Sequence, residues 1–399
     1  MRIKPIPATI ALGLGTLVSH GFGLSLVPAM LPRIEAEFQS GYGALGLAVA
    51  TGLLAYAIGS ILAPPVMRWL PTRGLLVATF ALTGGGFVVT ATASSTLYIS
   101  IAVVLLGISA PISWTATIHV ARETVSLNSL SIVSAGASGG AAVGVIINGI
   151  LVSTSGSIHT WRISFWMAAL VTAVVIAVTF AVFRQPVAKP GSTGTSLLVV
   201  FRKVLKDSSG RMVVATSAVS GVAVFTLATF LTATSIDEMG ATDTATASLL
   251  WIAGSVGVGS ALFFGRLGDR KTPVSAITTA MGVYAATLLI LTAGWSYWYL
   301  VIAVIGYGVL NGPVWGLMGA MANRRFSAEL SVGAISLGLA AASVVGAIGN
   351  SFTGIWIETR GSMRVPVLVL ATLTTGLTGY LVKESRNAQD QDEVTVQNR

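Results

Sequence analysis

The chain contains no cysteine. That absence excludes a disulfide framework, a thiolate-bound zinc or iron–sulfur centre, and a cysteine nucleophile. Charge is scarce too: Asp, Glu, Lys and Arg make up 9% of the residues, against about 25% in a soluble domain. Histidine occurs only at His20, His119 and His159. No His-Glu-x-x-His run is present, and the three histidines fall in a mid-span, a span end and a loop, so no metal or cofactor is assigned. No paired catalytic groups lie deep in an apolar segment, so an intramembrane enzyme is the weaker reading and the chain is expected not to be an enzyme. The net charge of +9 does not collect into a patch interleaved with aromatics, which argues against a nucleic-acid partner.

What the chain has instead is apolar length. Hydrophobic residues form 54% of it, and the mean hydropathy is +0.83. A membrane helix needs roughly 20 mostly apolar residues. Twelve such spans are predicted, at about 8–31, 44–67, 74–93, 97–119, 129–153, 162–183, 211–235, 245–264, 273–294, 297–321, 330–356 and 364–382. Of the 23 basic residues, only Arg33, Arg162, Arg360 and Arg364 fall on one side of this arrangement. The imbalance predicts a multi-pass protein of the cell (inner) membrane with both termini cytoplasmic. Membrane lipid is then a partner by necessity. No cleavable signal peptide is expected, because the run after Arg2 and Lys4 is span-length and has no convincing cleavage site.

The sequence also repeats itself at an offset of 202. Pro111 returns as Pro313, Arg122 as Arg324, Ser134 as Ser336, Gly136 as Gly338, Gly144 as Gly346, Asn148 as Asn350 and Arg162 as Arg364. Trp114 lands one place from Trp315. Two parallel copies about an axis along the membrane normal are a transporter architecture. The expected fold is an all-α membrane protein of twelve transmembrane helices in two pseudo-symmetric six-helix bundles. The boundaries expected are 1–183 for the first bundle, 184–210 for a cytoplasmic linker, 211–383 for the second bundle and 384–399 for a disordered tail. Within the linker, Leu197–Leu205 with Arg202, Lys203 and Lys206 reads as a short basic amphipathic helix on anionic headgroups.

After span eight comes Gly265-Arg266-Leu267-Gly268-Asp269-Arg270-Lys271. This run resembles the Gly-x-Leu-x-Asp-Arg-x-x-Arg/Lys loop signature of the major facilitator superfamily. The copy 202 residues earlier, Ala63 to Trp69, keeps only Arg68, with Met67 where the acid would stand. The resemblance implies an inner latch built from Gly265, Asp269, Arg270, Arg68, Glu123 and Glu329. Asp269 would sit against the start of span five near Asn128 and Ser129, because helix N-termini offer unpaired amides and partial positive charge. Arg270 would meet carbonyls or Glu123, and Glu329 would replace the missing acid and pair with Arg68. The alternative is a tight turn carrying positive charge and no switching role. The Gly-Pro motif of drug antiporters is missing from span five and their intramembrane Arg from span four, which counts against a standard multidrug antiporter.

Polar groups at bilayer depth are costly and usually functional. His20 is the one ionisable group near mid-membrane. It could carry a proton or donate to an anionic substrate, or remain neutral against a neighbouring carbonyl or Asn. The outer-end acids Glu35, Asp237 and Glu238 are further proton-coupling candidates, Glu35 and Asp237 being related by the offset, with a solvated loop as the plainer reading. Candidate substrate-binding residues are His20, Thr16, Tyr56, Trp114, Asn148, Trp251, Asn311, Trp315 and Asn350, with Tyr307 as further aromatic wall. Asn148 and Asn350 could bond substrate or stitch helices. Gly136, Gly140 and Gly144 form a stripe suited to close helix approach.

The expected function is a monomeric secondary transporter moving one small organic solute (neutral, aromatic or weakly acidic) by alternating access. Proton coupling and facilitated diffusion both stay open. Proton-driven efflux of hydrophobic drugs or toxins is the alternative within transporters, and a channel is the weaker option outside them.

Overall fold

The computed structural model describes residues 5–154, 160–182 and 196–397, with side chains described as far as Glu384. Arg2, Lys4, His159, the first part of the expected linker with Arg184 and Lys189, and the acids of the tail lie outside the described residues or side chains. Among the described residues every regular element is helical.

Among the described residues, eleven helices are long and apolar enough to cross a membrane, and the apolar helix Ile6–Phe22 precedes them. The first span is not the single rod expected over 8–31. It runs as an α-helix over Pro5–Thr16, widens to a π-helix over Leu17–Phe22, and continues as Leu26–Ala29 and Leu31–Phe38. Gly21, Gly23 and Pro28 weaken the regular ladder here. The spans that follow are Gly41–Trp69, Thr72–Ala91, Thr96–Thr124, Leu130–Thr154 and Trp161–Val182. After the short helix Leu197–Lys206 come Ser208–Ala233, Asp243–Arg270, Pro273–Ala293, Tyr297–Asn311 with Val314–Arg325, Ala328–Arg360 and Arg364–Gln397.

Helix starts follow local capping chemistry. Asp207 accepts from Ser209 N at 2.8 Å and Gly210 N at 3.3 Å, opening the seventh span. Thr242 and Thr272 cap the eighth and ninth in the same way, each satisfying amides that have no partner inside the helix. Gly361, at φ 69°, closes the eleventh.

Two details differ from expectation, and a third separates the two halves. Residues 265–270 are not a loop: the eighth span stays helical through Arg270, so Asp269 projects from a last helical turn. Pro111 and Pro313 do not act alike. The fourth span carries Pro111 without a break, whereas the tenth divides at Gly312-Pro313. Glycine before the proline removes the helical preference that Ala110 keeps, and a Cβ at Gly312 would overlap the carbonyl of Gly257. The twelfth span also continues as helix beyond 384, where a disordered tail was expected; a helix already nucleated by its apolar stretch extends at little cost through Glu, Arg, Ala and Gln.

The helices pack as two copies of one plan. In the first half the fifth span lies along the first, the second along the fourth, and the third along the fourth and sixth. In the second half the eleventh lies along the seventh, the eighth along the tenth, and the ninth along the tenth and twelfth. Between halves, the fifth packs on the eighth and the second on the eleventh. Adding six to the first-half member of one pair and taking six from its second-half member yields the other pair, as a two-fold axis between the halves requires. Small residues allow these contacts: a Cβ at Gly140 would overlap the carbonyl of Gly13, and one at Gly144 would overlap Gly21. Large apolar side chains such as Leu170 and Ile348 stay exposed on the span-length helices, a surface suited to lipid tails.

Candidate functional site

A cavity of about 970 Å³, counting its opening, lies between the halves. Thr16, His20, Tyr56, Trp114 and Ser138 line it from the first half. Phe225, Thr229, Tyr307, Asn311 and Trp315 line it from the second. No Asp, Glu, Lys or Arg among the described residues borders it. Its lining on the first, second and seventh spans lies at mid-span or towards the end away from the chain termini. That end is called here the far end, and the opposite one the basic end.

The π-helical turn sets the polar corner. Widening the helix re-aims one side chain, a geometry found often at functional sites. Asn148 Nδ2 donates to Gly21 O at 3.0 Å, tying the turn to the fifth span. His20 then stands edge-on to Trp114 at 5.7 Å and to Tyr56 at 6.0 Å between ring centroids. Ser19 has one hydroxyl hydrogen and donates it to Gly15 O at 2.9 Å. At 2.9 Å from His20 Nδ1 its oxygen therefore accepts, so the hydrogen of the neutral ring sits on Nδ1. Nε2 is left to accept from the Tyr56 hydroxyl at 3.1 Å. The chain Tyr56, His20, Ser19, Gly15 is thus satisfied with no net charge.

The opposite wall is aromatic. Phe225 stacks on Trp315 with centroids 5.9 Å apart and planes 12° from parallel, and Phe225 leans on Tyr56 at 6.3 Å. Trp315 Nε1 donates to Asn311 Oδ1 at 3.3 Å. An indole nitrogen can only donate, so this contact orients the amide and leaves the Asn311 NH2 as a further donor.

Beneath the cavity, towards the basic end, Tyr56 and Trp114 join a separate apolar cluster with Ile118, Ala322, Ala334, Ile335, Leu339 and Val204. Val204 comes from the short helix Leu197–Lys206, whose Val200 and Val204 are buried while Leu198 stays exposed. Polar bonds close the basic end around this plug. Asp269 accepts from Ser131 N and Ile132 N at 3.0 Å each and from Arg324 at 2.7 Å. Arg68 meets Glu329 at 2.8 Å. Arg122 donates to Phe326 O at 3.1 Å, and Asn323 to Ile118 O at 3.3 Å. At the far end fewer polar bonds between the halves are seen among the described residues: Thr232 on Pro28 O at 3.2 Å and Arg33 on Asp243 at 3.3 Å.

Six sequence candidates therefore share the cavity: Thr16, His20, Tyr56, Trp114, Asn311 and Trp315. Three do not line it. Asn148 is committed to Gly21, Asn350 Nδ2 donates to Thr229 Oγ1 at 2.9 Å, and Trp251 packs on Gly149 at the contact of the fifth and eighth spans. Glu35 and Asp237 lie at the far end, outside the lining. Asp269 meets the fifth span one turn later than expected, at Ser131 and Ile132, and its basic partner is Arg324. Arg270 and Glu123 form no ion pair with each other among the described residues, and Gly265 lets the eighth span approach the backbone of the fifth.

Two features escaped the sequence reading. Phe225 is one apolar residue among many, and nothing local marks it. Glu37 accepts from Trp161 Nε1 at 2.7 Å and from Arg162, whose guanidinium stacks 4.5 Å from the Trp161 ring centroid. Its counterpart Glu238 accepts from Met363 N at 2.9 Å and Trp295 Nε1 at 3.1 Å. The two acids differ from the 202 offset by one place; searching the offset with a slip of one would have found the pair.

The Major Facilitator Superfamily model matches residues 13–349. The proton:xylose symporter XylE superposes with a TM-score of 0.73 at 14% identity, covering 95% of each chain. The human organic anion transporter MFSD10 (TETRAN) gives 0.72 at 14%, covering 95% of this chain and 100% of its own. The E. coli fucose:proton symporter FucP gives 0.71 at 14%, covering 94% and 98%. No curated protein matches by sequence. Duplicated six-helix halves, a cavity between them and a family match across most of the length agree: this chain belongs to the Major Facilitator Superfamily.

Proposed function

We propose that the chain carries one small, flat organic solute (neutral, aromatic or weakly acidic) across the cytoplasmic membrane by alternating access, as a monomer with both termini inside. The observation carrying this reading is the uncharged cavity walled by the Phe225–Trp315 stack and by His20, Tyr56 and Trp114. A phosphorylated or multiply charged solute would lose its hydration there with no counter-charge to replace it. A flat ring gains stacking on the aromatic wall. Asn148 and Asn350 act as helix stitches on this reading, and Thr16, His20, Tyr56, Trp114, Asn311 and Trp315 meet the solute.

The basic-end bonds form the inner latch. Asp269 binds the start of the fifth span, and Arg68–Glu329 fills the related place with the charges reversed between helices. The halves rock about the cavity as these bonds break and the far end closes. The neighbours XylE and FucP are proton symporters, which makes proton coupling through His20 the favoured mode here.

A thermal-shift screen of purified protein against organic acids, aromatics and neutral metabolites tests the reading. A ligand should raise the melting temperature of wild type and lose its effect in Trp315→Ala. Stabilisation only by sugar phosphates or other polyanions would overturn it. The apolar lining also suits efflux of hydrophobic toxins. Deletion and overexpression of the gene should shift toxin susceptibility in opposite directions if export is the direction.

A further inference from the structure

We propose that Tyr56 reports the protonation of His20 to the solute, so that the cavity takes a hydrogen-bond acceptor, a carbonyl or carboxylate oxygen on a flat ring, together with a proton. The inference rests on the reading that this cavity binds a flat solute. It begins from where one hydrogen can go. In the neutral ring Nδ1–H is held by Ser19 and Nε2 accepts from Tyr56. The phenol hydrogen is therefore spent on His20 and points away from the solute.

A second proton on the ring must sit on Nε2, because Nδ1 already carries one. Both nitrogens then donate. Nε2–H donates to the Tyr56 oxygen, and the hydroxyl hydrogen must turn elsewhere. Among the described residues His20 is the only side-chain partner of the Tyr56 hydroxyl, and Tyr56 lines the cavity. The hydrogen is thus delivered to whatever acceptor the cavity holds. Protonation converts the site from one offering a lone pair to one offering a donor beside the Asn311 NH2.

No other charge confuses this switch. Tyr56 on the second span faces the ring directly, and Tyr307 on the tenth is the other titratable group in the lining. On the elements packed around the π-turn, the titratable residues are Arg73 on the third span, Tyr98, His119, Arg122 and Glu123 on the fourth, and Arg162 on the sixth, all towards span ends. The fifth span has none.

The test uses two neutral probes, so that Coulomb attraction to the imidazolium does not enter. Acetophenone is flat and only accepts; indole is flat and only donates. Their binding to detergent-purified full-length protein is measured by isothermal titration at about pH 8 and about pH 5.5, on either side of the usual histidine range. Acetophenone should bind up to about tenfold more tightly at the lower pH, the gain of roughly one good hydrogen bond. Indole should not gain. Tyr56→Phe and His20→Gln should each bind acetophenone equally at both pH values, with monodisperse elution and a cooperative melting transition showing that each variant is folded. Equal acetophenone affinity at both pH values in wild type, with indole still bound, overturns the proposal and leaves the cavity reading standing. A pH dependence that survives Tyr56→Phe also overturns it. If neither probe binds wild type at either pH, the cavity reading itself fails and the switch falls with it.

Discussion

Asp269 shows how one carboxylate can do what a large interface alone does not. It takes two backbone amides at the start of the fifth span, in part-buried bonds, and one guanidinium. Charge-assisted bonds of this kind are about twice as strong as neutral ones. Asn in its place keeps the volume and one acceptor but loses the charge that both the helix start and Arg324 favour. Asp269→Asn should slow solute uptake into liposomes by about tenfold or more, with immunoblots showing an unchanged amount in the membrane. Wild-type rates would remove the latch. Glu37 plays a different part, since its bonds from Trp161 and Arg162 stay within the first half. Glu37→Gln should lower stability by about 1–3 kcal/mol, read as a lower melting temperature with no change in solute preference. That Asp269 would meet the start of the fifth span was legible from its motif, because that run has a recognisable spacing. Its partner Arg324, 55 residues further on, was not, because spacing along the chain says nothing about which helix end comes to rest beside another.

At the scale of elements, the first span carries most of the information. A Gly-rich apolar run with one histidine announces itself as a span, but its π-helical turn depends on the fifth span. Asn148 holds the Gly21 carbonyl, and the backbones touch where Gly13 meets Gly140 and Gly21 meets Gly144. Gly140→Leu should therefore part the two helices. Overpacking of this kind costs about 1–3 kcal/mol or more, visible as a lower melting temperature in detergent. Asn148→Leu is subtler. It leaves the helices in contact but frees the turn, so it should weaken binding of flat ligands while moving the melting temperature less than Gly140→Leu does; an unchanged ligand affinity would separate the turn from the site. The Gly136, Gly140, Gly144 stripe was readable as a contact surface from its spacing alone. Which helix it met, and that the contact sets the angle of His20, followed only from packing.

For the whole molecule, the two interfaces between halves are related by symmetry yet use different charges. Arg68–Glu329 can therefore be reversed without touching the Asp269 side. Arg68→Glu and Glu329→Arg should each impair transport, and together restore much of it, as a coupled pair does in a double-mutant cycle. The natural lack of cysteine permits a direct view of the rocking motion. Ser25→Cys lines the cavity towards the far end, and Ser131→Cys lies under the closed basic end. In the conformation described here a membrane-impermeant maleimide should label Ser25→Cys from outside and spare Ser131→Cys from inside. Turnover with solute should raise labelling at Ser131→Cys; labelling of both at equal, constant rates would argue against alternation.

Hydropathy, basic bias and the 202 offset are sums over local residues, and they determined the spans, the duplication, the expected orientation and the transporter class without any folded coordinates. The membership of the cavity is a different kind of fact. Rotating the fifth span by a third of a turn would re-aim Asn148, and rotating the seventh would turn Phe225 away, and the apolar pattern of a fully buried helix barely penalises either rotation. The packing of glycine against glycine between the first and fifth spans sets the rotation there, and with it the hydrogen bond that Tyr56 donates to His20.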